Sequence, residues 1–184
     1  MRKVERSEIV DFATYGDTRE ATRKAVLEAK RVRRVHVGEY LTFLFENHET
    51  IRYQIQEIMR AERIVRETDV QNEIDTYNQM LGDDGELGCC LLIEIDDREA
   101  RNELLRKWRD LPNHLYVRCA DGTRVAARYD DDQANEEKIS SVQYLKFAVG
   151  KAVPVAVGTD HPALTAETTF TDEQRAALQA DLAS

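Results

Sequence analysis

A single α+β domain, with a mostly antiparallel sheet and helices packed on one face, is the fold this 184-residue sequence predicts. Three observations carry that expectation. Segments whose apolar residues recur every three or four positions are interleaved with segments that alternate every second position. Leu87 to Ile95 is nearly continuous apolar sequence of strand length, suited to a central strand covered on both faces. Capping and turn residues punctuate the changes of period. Hydrophobic residues at 42% and charged residues at 33% supply a core and exclude a disordered chain. A mass of 21.2 kDa suits one domain, taken as 1–184.

Ala21, Ala25, Val26 and Ala29 predict a first helix over 18–31 capped by Thr18, which leaves 1–17 as an N-terminal arm. Val35 and Val37, then Leu41, Phe43 and Phe45, alternate on either side of Gly38-Glu39 and predict a β-hairpin over 32–46. Asn47 is placed to cap a helix from about 48 to 66, with Glu49 at the positive end of its dipole. Thr68 and Gln71 have capping-box spacing ahead of Val70, Ile74, Tyr77 and Leu81, and Gly82-Asp83-Asp84-Gly85 breaks that second helix. After the central strand, Asp96 and Glu99 introduce a helix carrying Ala100, Leu104, Trp108 and Leu111 up to Pro112. The helices over 48–81 and 97–110 are expected on the same sheet face.

His114 to Cys119 and Thr123 to Tyr129 form a hairpin. A two-residue loop would mix arginines with apolar residues, whereas a three-residue loop with a left-handed Gly122 removes the conflict. Asp130 to Lys138 reads as an exposed acidic loop, Val142 to Val149 as a strand, and Pro154 to Pro162 as irregular or edge-strand sequence. Thr171 and Gln174 cap a short C-terminal helix within 171–184.

The formal charge of -9 and pI near 5.0 repel phosphate backbones and anionic lipid, so generic nucleic-acid and membrane-surface binding are disfavoured. The N-terminus leads into no apolar leader region, and no apolar run approaches the roughly 20 residues that span a bilayer. Three cysteines, two of them adjacent, make no disulfide framework. A cytoplasmic protein is expected, and the sequence leaves a homo-oligomer open.

Motifs that dictate a reaction are missing. Cys89 and Cys90 point to opposite faces of a strand, which argues against joint metal ligation and for small core residues. The four histidines pair with no evident nucleophile, Ser140-Ser141 lacks the nucleophile elbow, and the 8 glycines form no phosphate loop. The acidic loop lacks EF-hand order. The balance leans away from an enzyme, and the sequence names no cofactor.

Two constellations remain. On the helix after Asn47, Ile51, Ile55, Ile58, Met59 and Val65 form a stripe with Glu62 at its centre, Gln54 on its flank and Glu46 ahead of the cap. A buried carboxylate there is costly unless paired or protonated. With Glu57, these residues would bind a hard metal or act as a base. The structural alternative is that Glu62 pairs with a core Arg or Tyr and fixes packing, and it weighs more because the Glu-x-x-His spacing of di-iron bundles is missing. On the 114–129 hairpin, His114, Arg118, Arg124 and Arg128 share one face. Either a small anion or acidic partner neutralises them, or this chain's own carboxylates do, the latter carrying more weight.

Several stretches resemble an uncharacterised conserved prokaryotic domain of unknown function, DUF3501. They are Lys30 to Gly38, Phe43 to Thr50, Gln54 to Ile58 with Glu62 to Ile64, Tyr77-Asn78, and Ser141 to Phe147, with Phe45-Glu46-Asn47 the most specific. The resemblance brings no established activity or catalytic residue. It implies an accessory or binding role beside rubrerythrin-like and iron–sulfur oxidoreductase proteins, and its motif covers Glu46, Asn47, Gln54 and Glu62.

Overall fold

A computed structural model describes residues 1–129 and 137–184. Among these, the chain forms five α-helices and two four-stranded antiparallel sheets, the α+β class expected. The strands divide between two sheets where the sequence suggested one. The first has the order β1 (Arg34–Val37), β2 (Leu41–Glu46), β3 (Glu86–Ile93), β6 (Val142–Ala148). The second has the order β5 (Arg124–Ala126), β4 (Leu115–Cys119), β7 (Pro154–Thr159), β8 (Ala166–Thr169).

Alternation builds the core. Phe43, Phe45, Leu87, Cys89, Leu91, Leu145 and Phe147 on the inner face of the first sheet pack against Leu115, Val117, Cys119 and Val157 of the second. The sheets also meet at both margins. The backbones of Arg128 and Lys146 exchange two 2.8 Å hydrogen bonds, and the Thr168 hydroxyl donates to the His36 carbonyl at 2.7 Å. These contacts cover strand edges that would otherwise invite intermolecular pairing.

The hairpin register is as expected: Arg118 faces Arg124, and Gly122 takes a φ of 88°. Cys89 and Cys90 do point to opposite faces, and all three cysteines are buried and free. Pro154 opens β7, but β7 lies inside the second sheet between β4 and β8. Its proline sits at the first position, where a missing N–H costs least, so it marks a strand start and not an edge.

The helices depart further. α1 runs Phe12–Arg31, capped by Asp11, which accepts from the N–H groups of Ala13 and Thr14; Thr18 lies inside the helix. The N-terminal residues are not a loose arm, because Val4 and Ile9 are buried and Asn78 clamps Val4 by bonds of 2.8 and 2.9 Å. α2 (His48–Glu62) has the Asn47 cap, closed by reciprocal bonds with Thr50. It stops at Glu62 because Arg63 turns left-handed at φ 54°. α3 (Glu67–Asn78) starts at Arg66 without a side-chain cap, so the Thr68–Gln71 box does not form. α4 (Arg98–Lys107) is capped by Asp97, one residue after the expected Asp96. α4 does not share a face with α2 and α3: its Leu105, with Trp108 just beyond, joins the core between the sheets, while α2 and α3 build a separate apolar cluster with Val4 and Ile9. α5 (Asp172–Leu182) carries the Thr171–Gln174 box and inserts Leu178 into the main core. The acidic loop falls mainly at 130–136, outside the described residues.

Candidate functional site

The sequence candidates occupy several places. Glu62 is exposed at the end of α2, which corrects its placement in a buried stripe. Its angle on the helix is as expected, but cover ends at Met59, one turn earlier. Gln54 is half-buried on α2. Glu57 faces α1, where Arg19 grips it with two bonds of 2.8 Å and the Tyr15 hydroxyl donates at 2.7 Å. Those donors hold the Glu57 carboxyl below its ordinary range.

The arginines of the sheet face meet carboxylates of this chain. Arg118 chelates Glu167, and the Tyr116 hydroxyl donates to the same group at 3.0 Å across the gap left by Gly158. Arg124 stacks 4.1 Å from the Tyr116 ring centroid and lies 3.8 Å from Asp160. Arg128 bonds Glu86 at 2.5 Å. Each of these three arginines therefore has a carboxylate of this chain within reach.

His114 contacts Asp160 at 2.9 Å and Asp110 at 3.4 Å, and Asp110 also meets His161 at 3.2 Å. Two histidines and a carboxylate would suit a metal, but the His161 Nδ1 accepts the Ala163 N–H, which places the ring proton on Nε2, facing Asp110. The cluster is thus a hydrogen-bonded one, and the Asp160 bond raises the His114 pKa. Among the described residues, no group of three or more His, Cys, Asp or Glu is arranged to hold a metal ion.

The buried carboxylate of the β2–α2 region is Glu46, 1% exposed. Its Oε2 lies 2.5 Å from the Thr50 hydroxyl, and its Oε1 has no hydrogen-bond partner among the described residues. Burial pushes its pKa up, against the pull of the Thr50 bond and of Lys30, Arg33 and Arg34. Asn47 reaches on to Asp181, which Arg33 grips at 2.7 and 2.9 Å, so the cap is tied to α5.

Register then brings distant residues into one row. Glu46 faces Gly88, Gly88 faces Lys146, and Lys146 faces Arg128, all on the outer face of the first sheet. Gly88 has no side chain because the Met80 carbonyl presses on the position a Cβ would occupy. Beyond that crossing the row opens into a cavity of about 540 Å³ lined by Lys3, Met80, Arg128, Tyr129, Tyr144 and Lys146, with Asp75 and Asp83 at its sides. Its volume is that of a small-ligand site. Lys3 anchors on the Asn78 and Leu81 carbonyls and pairs with Asp83 at 3.4 Å. The Lys3 ammonium, with Lys146 behind it, holds the Asp83 carboxyl low. A second recess of about 530 Å³ beneath α5 is lined by small and apolar residues, among them Gly85, Gly150, Ala152 and Leu182, with Asp84, Lys151 and Gln179 as its polar groups.

A family model described as Protein of unknown function (DUF3501) matches residues 3–182. The chain belongs to this family. The crystal structure of a Burkholderia pseudomallei K96243 protein, described as a novel protein of unknown function, is similar at a TM-score of 0.91 with 29% identity, covering 98% of this chain and 100% of that one. None of the curated proteins matches the chain.

Of the groove, the sequence offers only Arg128 as a candidate binding residue, although the stretches of the family resemblance also span Asn78, Tyr144 and Lys146. Tyr144 and Lys146 were readable as the outward positions of a strand whose Leu145 and Phe147 point inward, but their meeting with Lys3 depends on tertiary packing.

Proposed function

We propose that this DUF3501 member is a non-enzymatic binding protein that holds a small ligand in the groove between α3 and β6 and acts as an accessory to an iron–sulfur or rubrerythrin-like redox protein. The observation that carries the binding role is the cavity of about 540 Å³ walled by two tyrosines and three cationic side chains on an acidic chain. The redox association is supported by the setting that the family resemblance implies. Affinity capture under reducing conditions from a host that encodes the protein tests it. Recovery of an iron–sulfur or rubrerythrin-like protein is expected, and its consistent absence counts against the association.

A second reading attaches to Glu46, whose unpartnered Oε1 is the kind of buried atom that marks ligand sites. As a metal ligand it would need companions, and its polar surroundings are the Thr50 hydroxyl, the cations Lys30, Arg33 and Arg34, which repel a metal ion, and the Cys90 thiol, which burial and Glu46 push up to about 12. A thiol so reluctant to ionise is a poor ligand, so Glu46 is better read as a neutral acid that fixes packing. Stoichiometric metal in protein purified without chelators, lost in Glu46→Gln, would reverse that reading.

A further inference from the structure

We infer that the groove takes a small organic anion with a flat apolar body, its phosphate or carboxylate head held by Lys146 and Arg128 and its ring lying against Tyr144. The inference rests on the binding reading above and names the chemistry of its ligand.

Donor and acceptor accounting selects the charge. Each carboxylate around the groove already has a donor: Asp83 has Lys3, Glu86 has Arg128, and Asp75 accepts from the Gln71 amide at 2.8 Å. The cations are less well served. Among the described residues no hydrogen bond or ion pair engages the half-buried Lys146 ammonium, and Arg128 spends a single guanidinium nitrogen on Glu86. The two are cross-strand neighbours at the Arg128–Lys146 bridge. Like charges directly opposite in a sheet repel, so an anion between them adds to the partial relief that Asp83 gives Lys146 and Glu86 gives Arg128. The groove therefore presents surplus donors, in a protein whose net charge would suggest the reverse.

The ring follows from the walls. Tyr144 is 43% exposed on the outer face of β6, whereas Tyr129 closes the end of the groove with its ring packed partly on the core and its hydroxyl donating to Asn113 at 2.7 Å. An exposed aromatic face beside a pair of cations suits a planar body with an anionic head. The volume accommodates such a molecule but not a folded partner element.

Calorimetric titration of the full chain with phenyl phosphate, inorganic phosphate and phenol tests the assignment. Phenyl phosphate should bind, inorganic phosphate and phenol at least tenfold more weakly. Lys146→Gln and Arg128→Gln, checked for native circular dichroism, should each weaken phenyl phosphate about tenfold or more, as loss of a charge-assisted hydrogen bond does. Phenol binding as tightly as phenyl phosphate, or unchanged affinity in both variants, overturns the anionic head and leaves a groove that binds something uncharged. Inorganic phosphate binding as tightly as phenyl phosphate overturns the flat body. No binding by any of the three overturns the binding reading itself.

Discussion

Glu46 shows how proton bookkeeping at one residue constrains the rest. The Thr50 hydroxyl has one proton and two acceptors in reach, the Asn47 carbonyl at 3.0 Å and Glu46 Oε2 at 2.5 Å, while it accepts from the Asn47 N–H at 2.9 Å. If Thr50 donates to Asn47, Glu46 itself carries a proton and donates to Thr50. Burial favours that form, and a neutral acid leaves its second oxygen unpartnered at far less cost than a carboxylate would. A raised pKa in the folded state contributes stability that is complete below the unfolded value and is lost as pH rises through the folded value. Glu46→Gln should therefore stabilise the protein by about 1 kcal/mol at neutral pH and flatten the loss of stability as pH rises above the unfolded carboxylate range. Urea unfolding as a function of pH, from the unfolded carboxylate range upward, measures this, and an equal loss with rising pH in the variant would contradict it. His114 titrates in the same sense, because Asp160 and then Asp110 favour its protonated form. Its NMR midpoint should lie above about 6.5 and fall in Asp160→Asn.

At the scale of elements, local chemistry was legible and long-range register was not. Asn47, Thr171 and Gln174 could be assigned as caps because the bonds they make are three residues away. The Gly122 hairpin was legible because one loop length separates apolar from charged residues. Glu62 misled because periodicity gives the direction of a side chain and not how far along the helix its cover extends. Thr68 misled because Glu67 already lies within the helix. The row Glu46, Gly88, Lys146, Arg128 was invisible, since it joins four strand segments through pairings no local pattern encodes. Gly88 is the hinge of that row. An added Cβ would collide with the Met80 carbonyl, so Gly88→Ala should cost about 1–3 kcal/mol in urea unfolding and displace the segment that walls the groove. A neutral effect would mean that this crossing is loose.

Across the whole molecule, the two sheets close on each other at both margins, leaving α1 to α3 and the N-terminal segment to shape the outer face of the first sheet. Among the described residues, no helix is long and apolar enough to cross a membrane. Several carboxylates tie distant segments together. Glu8 is raised by burial but brought down to about 2 by Arg2, the Glu5 N–H and His48, and Glu57 and Glu167 are held low by Arg19 and Arg118. Groups lowered in this way stabilise the fold above the unfolded carboxylate range and lose that contribution as pH falls. With Glu46 and His114 acting at the other end, urea midpoints should peak between the two limbs and decline on both sides.

The groove gathers these scales, since its floor is a strand row, its wall a clamped N-terminal segment and its donors two neighbouring cations. Backbone amide chemical-shift mapping of the isotope-labelled protein with phenyl phosphate locates binding directly. The largest shifts should cluster at Lys3, Met80, Tyr129, Tyr144 and Lys146. Shifts concentrated instead at Arg118, Arg124 and Glu167 would contradict the account.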